Sequence, residues 1–118
     1  MNRSTIKATQ AGQVIVWPVS EIVYFRYANK YTIARNQDGR ELLINDRLKN
    51  LVEEFADTFI QASRGVLVAR NRIQRVVHEP CRIEGVVHVL GAGVELQCSR
   101  SRMKSIKALI AERKQDQA

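Results

Sequence analysis

Short apolar stretches punctuated by turn residues are the feature that most limits what this chain can fold into. From Gln13 onward, Val14–Val16 is followed by Pro18, Ile22–Tyr27 by Ala28-Asn29-Lys30, and Tyr31–Ala34 by Asp38-Gly39. Runs this brief are too short for a buried helix, whereas a strand needs only about four to eight residues, so hairpins are expected. Asp38-Gly39 lies between Tyr31-Thr-Ile-Ala34 and Glu41-Leu-Leu-Ile44. Glycine accepts positive φ there at no steric cost, which predicts a turn closing two antiparallel strands.

Two segments depart from the strand pattern. Leu48, Leu51, Val52 and Phe55 recur at i, i+3, i+4 and i+7, predicting one short amphipathic helix with Asn45 or Asp46 capping its free N–H groups. Phe59-Ile60, Val66–Val68 and Ile73–Val77 then read as strands, and Ile83–Leu90 and Val94–Cys98 flank Gly91-Ala-Gly93 as a second hairpin. The chain closes on a helix with an apolar stripe of Met103, Ile106, Leu109 and Ile110, with Ser99 or Ser101 as cap and Arg113 and Lys114 at its negative end. The expected fold class is therefore mainly β: small antiparallel sheets with one short internal helix and a C-terminal helix. Residues 1–12 read as an N-terminal extension or linker, 13–112 as the domain, and 113–118 as a C-terminal tail that frays from Gln115.

A chain of 118 residues makes one domain that buries its own core without disulfides or a metal. Its 45% hydrophobic and 26% charged shares exclude a disordered tail. Nineteen Lys and Arg against twelve Asp and Glu give +7, which suits a polyanionic partner or an acidic membrane surface. No run approaches a bilayer span, and Val14–Val19 is too short, and interrupted by Pro18, to be a secretory core. A cytoplasmic location is expected, with Cys81 and Cys98 as reduced core residues.

The positive charge is unevenly spread. Arg64, Arg70, Arg72 and Arg75 occur in a stretch without a single acid, as do Arg100, Arg102, Lys104 and Lys107. A looser group of Arg26, Lys30, Arg35 and Arg40 surrounds a loop carrying Asn29 and Tyr31. A guanidinium fork reaches guanine O6 and N7 bidentately and grips phosphate oxygens, while Asn and Tyr add hydrogen bonds to base edges or phosphates.

The order Glu21-Ile-Val-Tyr-Phe-Arg-Tyr-Ala-Asn-Lys-Tyr31, then Asp38-Gly39, then Leu48-Lys49-Asn-Leu51 on a helix, then FIQASRGVLVARNRI, then Cys98-Ser99-Arg100, resembles the LytTR family of bacterial DNA-binding domains. The resemblance runs from Val14 to Ile110. It implies an elongated domain, usually attached to a receiver domain in two-component response regulators, that regulates transcription by touching double-stranded DNA with inter-strand loops. Carried over, those loops fall on Asn29, Lys30 and Tyr31, on Ser63, Arg64 and Gly65, and on Ser99, Arg100, Ser101 and Arg102. Arg70 and Arg72, from the acid-free run, complete the candidate DNA-binding set. Ser63, Gly65 and Ala69 stand where the family prefers His, Ser and Asn, Gln61 replaces a common Arg, and Ser101 stands where a second Arg often follows. Base preference is therefore not carried over. The resemblance further implies promoter sites arranged as direct repeats, bound by two copies.

Arg64 and Arg70, at the two ends of the Val66–Val68 strand, are expected to lack acidic partners because phosphates supply the negative charge. A net +7 equally permits an RNA- or ribosome-binding module, or a sensor of an anionic nucleotide second messenger. His78, Cys81, His88 and Cys98 match no paired zinc-ligand spacing, no G-x-S-x-G elbow is present, and the carboxylates are scattered. Gly91-Ala-Gly93 joins two strands, not a strand to a helix, so it is no phosphate cradle. No catalysis, metal or cofactor is expected. Tyr24, Phe25 and Tyr27 read as part core and part surface, ahead of a base-stacking platform, and Trp17 as a packing residue.

Overall fold

A computed structural model of the chain describes residues 3–78, 85–89 and 94–116. The strands are β1 (Thr5–Gln10), β2 (Gln13–Pro18), β3 (Ile22–Ala28), β4 (Tyr31–Asn36), β5 (Glu41–Ile44), β6 (Phe59–Ser63), β7 (Val66–Ala69), β8 (Ile73–His78), β9 (Gly85–Val89) and β10 (Val94–Cys98). The helices are α1 (Leu48–Glu54) and α2 (Arg100–Asp116). All pairing is antiparallel, in a β1-β2 ribbon, a β10-β9-β8 sheet and a central sheet of order β5-β4-β3-β7-β6. The longest dimension, 45 Å, is nearly twice the shortest, 25 Å. The expected fold class stands.

The middle of the central sheet, β3 and β7, is buried on both faces and carries little polar alternation, whereas β4 and β5 alternate buried and more exposed positions. On one face Phe25 and Leu67 pack with Leu48, Leu51 and Phe55 of the α1 region, and Ile6 of β1 reaches the same core. On the other face Tyr24 and Val68 pack with Ile73, Val87, Leu96, Met103 and Ile106, so β8–β10 and α2 form the second layer. Successive strand residues point to opposite faces, and a bulge between Ile22 and Tyr24 lets both Val23 and Tyr24 enter the second core. Trp17 packs from β2 against the first core.

Phe25, Phe55 and Phe59 form an aromatic trio with centroids 5.3–6.3 Å apart, Phe25 and Phe55 being stacked. This trio joins β3, α1 and β6. Leu48, Leu51, Val52 and Phe55 face the core as their spacing predicts, but Arg47 is the N-cap residue of α1 and no side chain caps it. Asp46 is engaged elsewhere: its carboxylate meets Arg3 at 2.7 Å.

Residues 1–12 carried no strand signal, yet Thr5–Gln10 pairs along its whole length with β2. The ribbon turns at Ala11-Gly12, both at positive φ, and Ile6 is fully buried. The alternation Ile6, Ala8 was too weakly apolar to announce it. At the other end α2 continues through Asp116, beyond the expected tail boundary. The Asp38-Gly39 hairpin is present but wider than a two-residue turn. Buried Asn36 accepts from the N–H groups of Asp38 (3.1 Å) and Arg40 (2.9 Å) through Oδ1, and Gly39 supplies a φ of 84°. Gly91-Ala-Gly93 and Cys81 lie outside the described residues, as do the side chains of His78, His88, Arg113 and Lys114.

Arg3 fastens β1 to α1. Its guanidinium donates to Glu54 at 2.8 and 2.9 Å and to Asp46 at 2.7 Å, and stands 6.0 Å from the Phe55 ring centroid. The hydrogen bond from Arg3 holds the Glu54 carboxyl below its ordinary value of about 4.5. A carboxylate whose folded value is depressed stabilises the fold above the unfolded value and loses that contribution as pH falls through the folded one. In urea titrations across pH, wild type should therefore exceed Glu54→Gln in stability above about pH 4.5, and the difference should shrink as the solution is acidified further.

Candidate nucleic-acid interface

β3 and β4 turn through Asn29-Lys30, between the paired residues Ala28 and Tyr31. Both turn residues have positive φ, 52° and 71°, the signature of a type I′ hairpin whose twist matches its strands. Asn tolerates this backbone through its short polar side chain. Lys does not, so Lys30 sits in a position that favours glycine. Asn29, Lys30 and Tyr31 are all exposed.

A backbone hydrogen bond places the second loop beside the first. The N–H of Tyr27, two residues before the β3–β4 turn, donates to the carbonyl of Gly65 at 2.8 Å. Arg64-Gly65 connects β6 and β7, and Gln61 Nε2 donates to the Arg64 carbonyl at 3.3 Å. Gln61 thus braces the turn that presents Arg64. A Cβ on Gly65 would meet the Tyr27 carbonyl at 3.6 Å, an ordinary contact, so a side chain fits here.

The third loop is tied to the second in the same way. Ser99, between β10 and α2, donates its N–H to the Ala62 carbonyl at 2.9 Å, next to Ser63. Its own carbonyl accepts from the N–H groups of Arg102 (3.0 Å) and Met103 (3.1 Å), which makes Ser99 the first residue of the helix cap, and its hydroxyl lies 3.4 Å from that of Ser101. Arg100, Ser101 and Arg102 emerge on the first turn of α2, whose N-terminal dipole adds positive potential to their own charge. Lys104 and Lys107 continue the exposed basic surface along α2.

One end of the central sheet thus gathers Asn29, Lys30, Tyr31, Ser63, Arg64, Ser99, Arg100, Ser101 and Arg102. The side chains of Lys30, Arg64, Arg100 and Arg102 are exposed and make no hydrogen bond or ion pair among the described residues. Between the loops lies a shallow cavity of about 430 Å³ whose lining includes Arg26, Ser63, Arg64, Gln97 and Ser99. Arg26 belonged to the looser basic group but not to the expected contacts. Gln97 carried no signal, because a polar residue on a short strand does not reveal which neighbour it will face.

Arg70 and Arg72 lie at the other end of β7. Arg70 Nε donates to the carbonyls of Ala56 (3.2 Å) and Phe59 (3.1 Å), and its backbone N–H to Thr58. Arg72 Nη2 donates to the Ser20 carbonyl at 3.1 Å and to Gln37 Oε1 at 2.9 Å. Position 69, an expected Asn, is a buried Ala in the first core, and these arginine bonds hold the following turn instead. Tyr24 and Phe25 are buried and Tyr27 is exposed, so the three rings form no common platform.

Residues 12–111 match the family described as the LytTr DNA-binding domain. The chain belongs to the LytTR family. It is 36% identical over 78 residues to the positive alginate biosynthesis regulatory protein of Pseudomonas aeruginosa PAO1, a match covering 66% of this chain and 31% of that protein. The chain thus spans about a third of the length of this curated relative. The LytTr DNA-binding domain of a methyl-accepting/DNA response regulator from Bacillus cereus superposes with a TM-score of 0.76 at 19% identity, covering 92% of this chain and 98% of that one. This LytTR domain is a DNA-binding domain, and no described helix is long and apolar enough to cross a membrane. Among the described residues no three His, Cys, Asp or Glu side chains are grouped to hold a metal, and burial pushes the Cys98 thiol above its ordinary value.

Two substitutions separate the two ends of the LytTR domain. Arg70→Ala should lower stability by about 1–3 kcal/mol in urea unfolding, since it leaves carbonyls without donors. Lys30→Gly should do the opposite: relief of the left-handed backbone, about 1–2 kcal/mol, is partly offset by the freedom glycine adds to the unfolded chain, so stability rises by roughly 1 kcal/mol or less. Its affinity for duplex DNA, measured by fluorescence anisotropy, should nonetheless fall with the lost charge.

Proposed function

We propose that this LytTR domain reads specific double-stranded DNA sequences in transcription regulation by presenting its three clustered loops to the major groove and the flanking phosphates. The observation that carries the reading is the charge arrangement at one end of the sheet. Lys30 and Arg64 project from two loops and Arg100 and Arg102 from the first turn of α2, bound to one another through Tyr27–Gly65 and Ser99–Ala62, with no acidic partner among the described residues. Guanidinium groups held so, by backbone and not by ion pairs, are available for bidentate bonds to guanine O6 and N7 or to phosphate oxygens. Arg64 and Arg100 are the proposed base readers, Asn29 and Tyr31 add hydrogen bonds to base edges or phosphates, and Lys30, Arg102 and the serine hydroxyls fix the register. Arg70 and Arg72 act as braces of the frame.

The chain performs no catalysis in this reading and works in the cytoplasm. In this reading the chain works attached to a receiver domain, on promoter sites with direct repeats occupied by two copies, as the family resemblance implies. Selection from random duplexes should enrich one consensus, and a salt titration should give a slope of about 0.9 in log K per neutralised phosphate. Arg64→Ala should cost about 1–3 kcal/mol of binding and relax the preference at a single position, while leaving the urea midpoint unchanged. Enrichment of no consensus, or displacement of the selected duplex by structured RNA at equal salt, would refute the reading.

A further inference from the structure

Arg26 occupies the same cavity as Arg64 but comes from a strand, not a loop. Its one ion pair among the described residues is a single contact of 3.3 Å between Nη2 and Glu41 Oε2, with the two side chains 40% and 45% exposed. Its Nε is shielded from solvent and has no hydrogen-bond partner among the described residues. A shielded N–H without an acceptor is unfavourable unless a ligand completes it.

Local charge points the same way. Glu41 stands directly opposite Arg35 on the neighbouring strand, and Arg35 Nε is likewise shielded and without a hydrogen-bond partner among the described residues. One carboxylate thus faces two guanidinium groups, which leaves a full positive charge uncompensated before Arg64 is counted. An exposed pair made through one contact is readily exchanged for a better acceptor. The cavity offers hydroxyls from Ser63 and Ser99 and an amide from Gln97. A compact, acceptor-only anion with oxygens in several directions fits this donor set, as a phosphodiester does.

We propose that Arg26, with the hydroxyls of Ser63 and Ser99, holds one backbone phosphodiester of the duplex in this cavity beside the base-reading Arg64, and that Glu41 competes with that phosphate for Arg26 and so sets the affinity. The assignment rests on the DNA-binding reading above. It adds a contact residue outside the loops and an acidic residue that opposes binding.

The test uses the consensus duplex from the selection, with each phosphate near the site replaced in turn by an uncharged methylphosphonate. Wild type should lose affinity at one linkage that Arg26→Gln no longer senses, and Arg26→Gln should lower the salt slope by about 0.9. Glu41→Gln should bind about 1.5- to 5-fold more tightly, the range an exposed ion pair supplies, and that gain should vanish in the Arg26→Gln/Glu41→Gln double variant. A merely structural pair would give the opposite sign, since removing Glu41 would then weaken binding. An unchanged consensus, slope and methylphosphonate profile in Arg26→Gln would overturn this assignment alone. Absence of duplex binding by wild type would overturn it together with the DNA-binding reading.

Discussion

Everything in this molecule is hung on β3, a strand covered on both sides by separate apolar cores. Phe25 anchors it to α1 and the β1-β2 ribbon, while Tyr24 anchors it to the layer of β8–β10 and α2. With its faces filled and its edges paired to β4 and β7, the strand has little freedom to shift, and its last residues emerge from the sheet in one direction. The three loops proposed to meet DNA inherit their position from this. The β3–β4 turn continues the strand, the Arg64 turn is bonded to Tyr27, and the start of α2 is bonded to the end of β6.

The arginines fall into two sets, those that brace the frame and those left open at the proposed interface. Arg3, Arg70 and Arg72 have protein acceptors, whether carboxylates or carbonyls, and hold the ribbon, the α1–β6 connection and the turn after β7. Arg64, Arg100 and Arg102 have none among the described residues. An arginine whose donors are already engaged adds little to recognition, whereas one left open by a rigid frame is prepared for an incoming anion without reorganisation.

Sequence periodicity revealed the elements whose signal is local. The i, i+3, i+4, i+7 spacing of Leu48 to Phe55 and the turn at Asp38-Gly39 both formed, because each needs only neighbouring residues. The three loops proposed to meet DNA stood out through resemblance and through the absence of acids. Three features did not. β1 depends on pairing with β2 and on a core assembled from distant strands, so Thr5–Gln10 gave no pattern of its own. The cap position of α1 fell to Arg47, and the carboxylate of Asp46 is taken up by Arg3, far away in the chain. Arg70 and Arg64 looked alike in an acid-free run, and only the fold shows that β7 sends them to opposite ends, one onto carbonyls of the chain and one into solvent. Such partners come from tertiary contacts, which charge patterning along a chain does not encode.

Local unfolding releases contiguous cooperative units, and a loop on its own hinge can fray while its neighbours stay in place. Here the bonds from Tyr27 to Gly65 and from Ser99 to Ala62 tie the three loops in series, with the β6–β7 hairpin in the middle. Loosening that hairpin, which supplies both acceptor carbonyls, releases the β3–β4 turn and the start of α2 together.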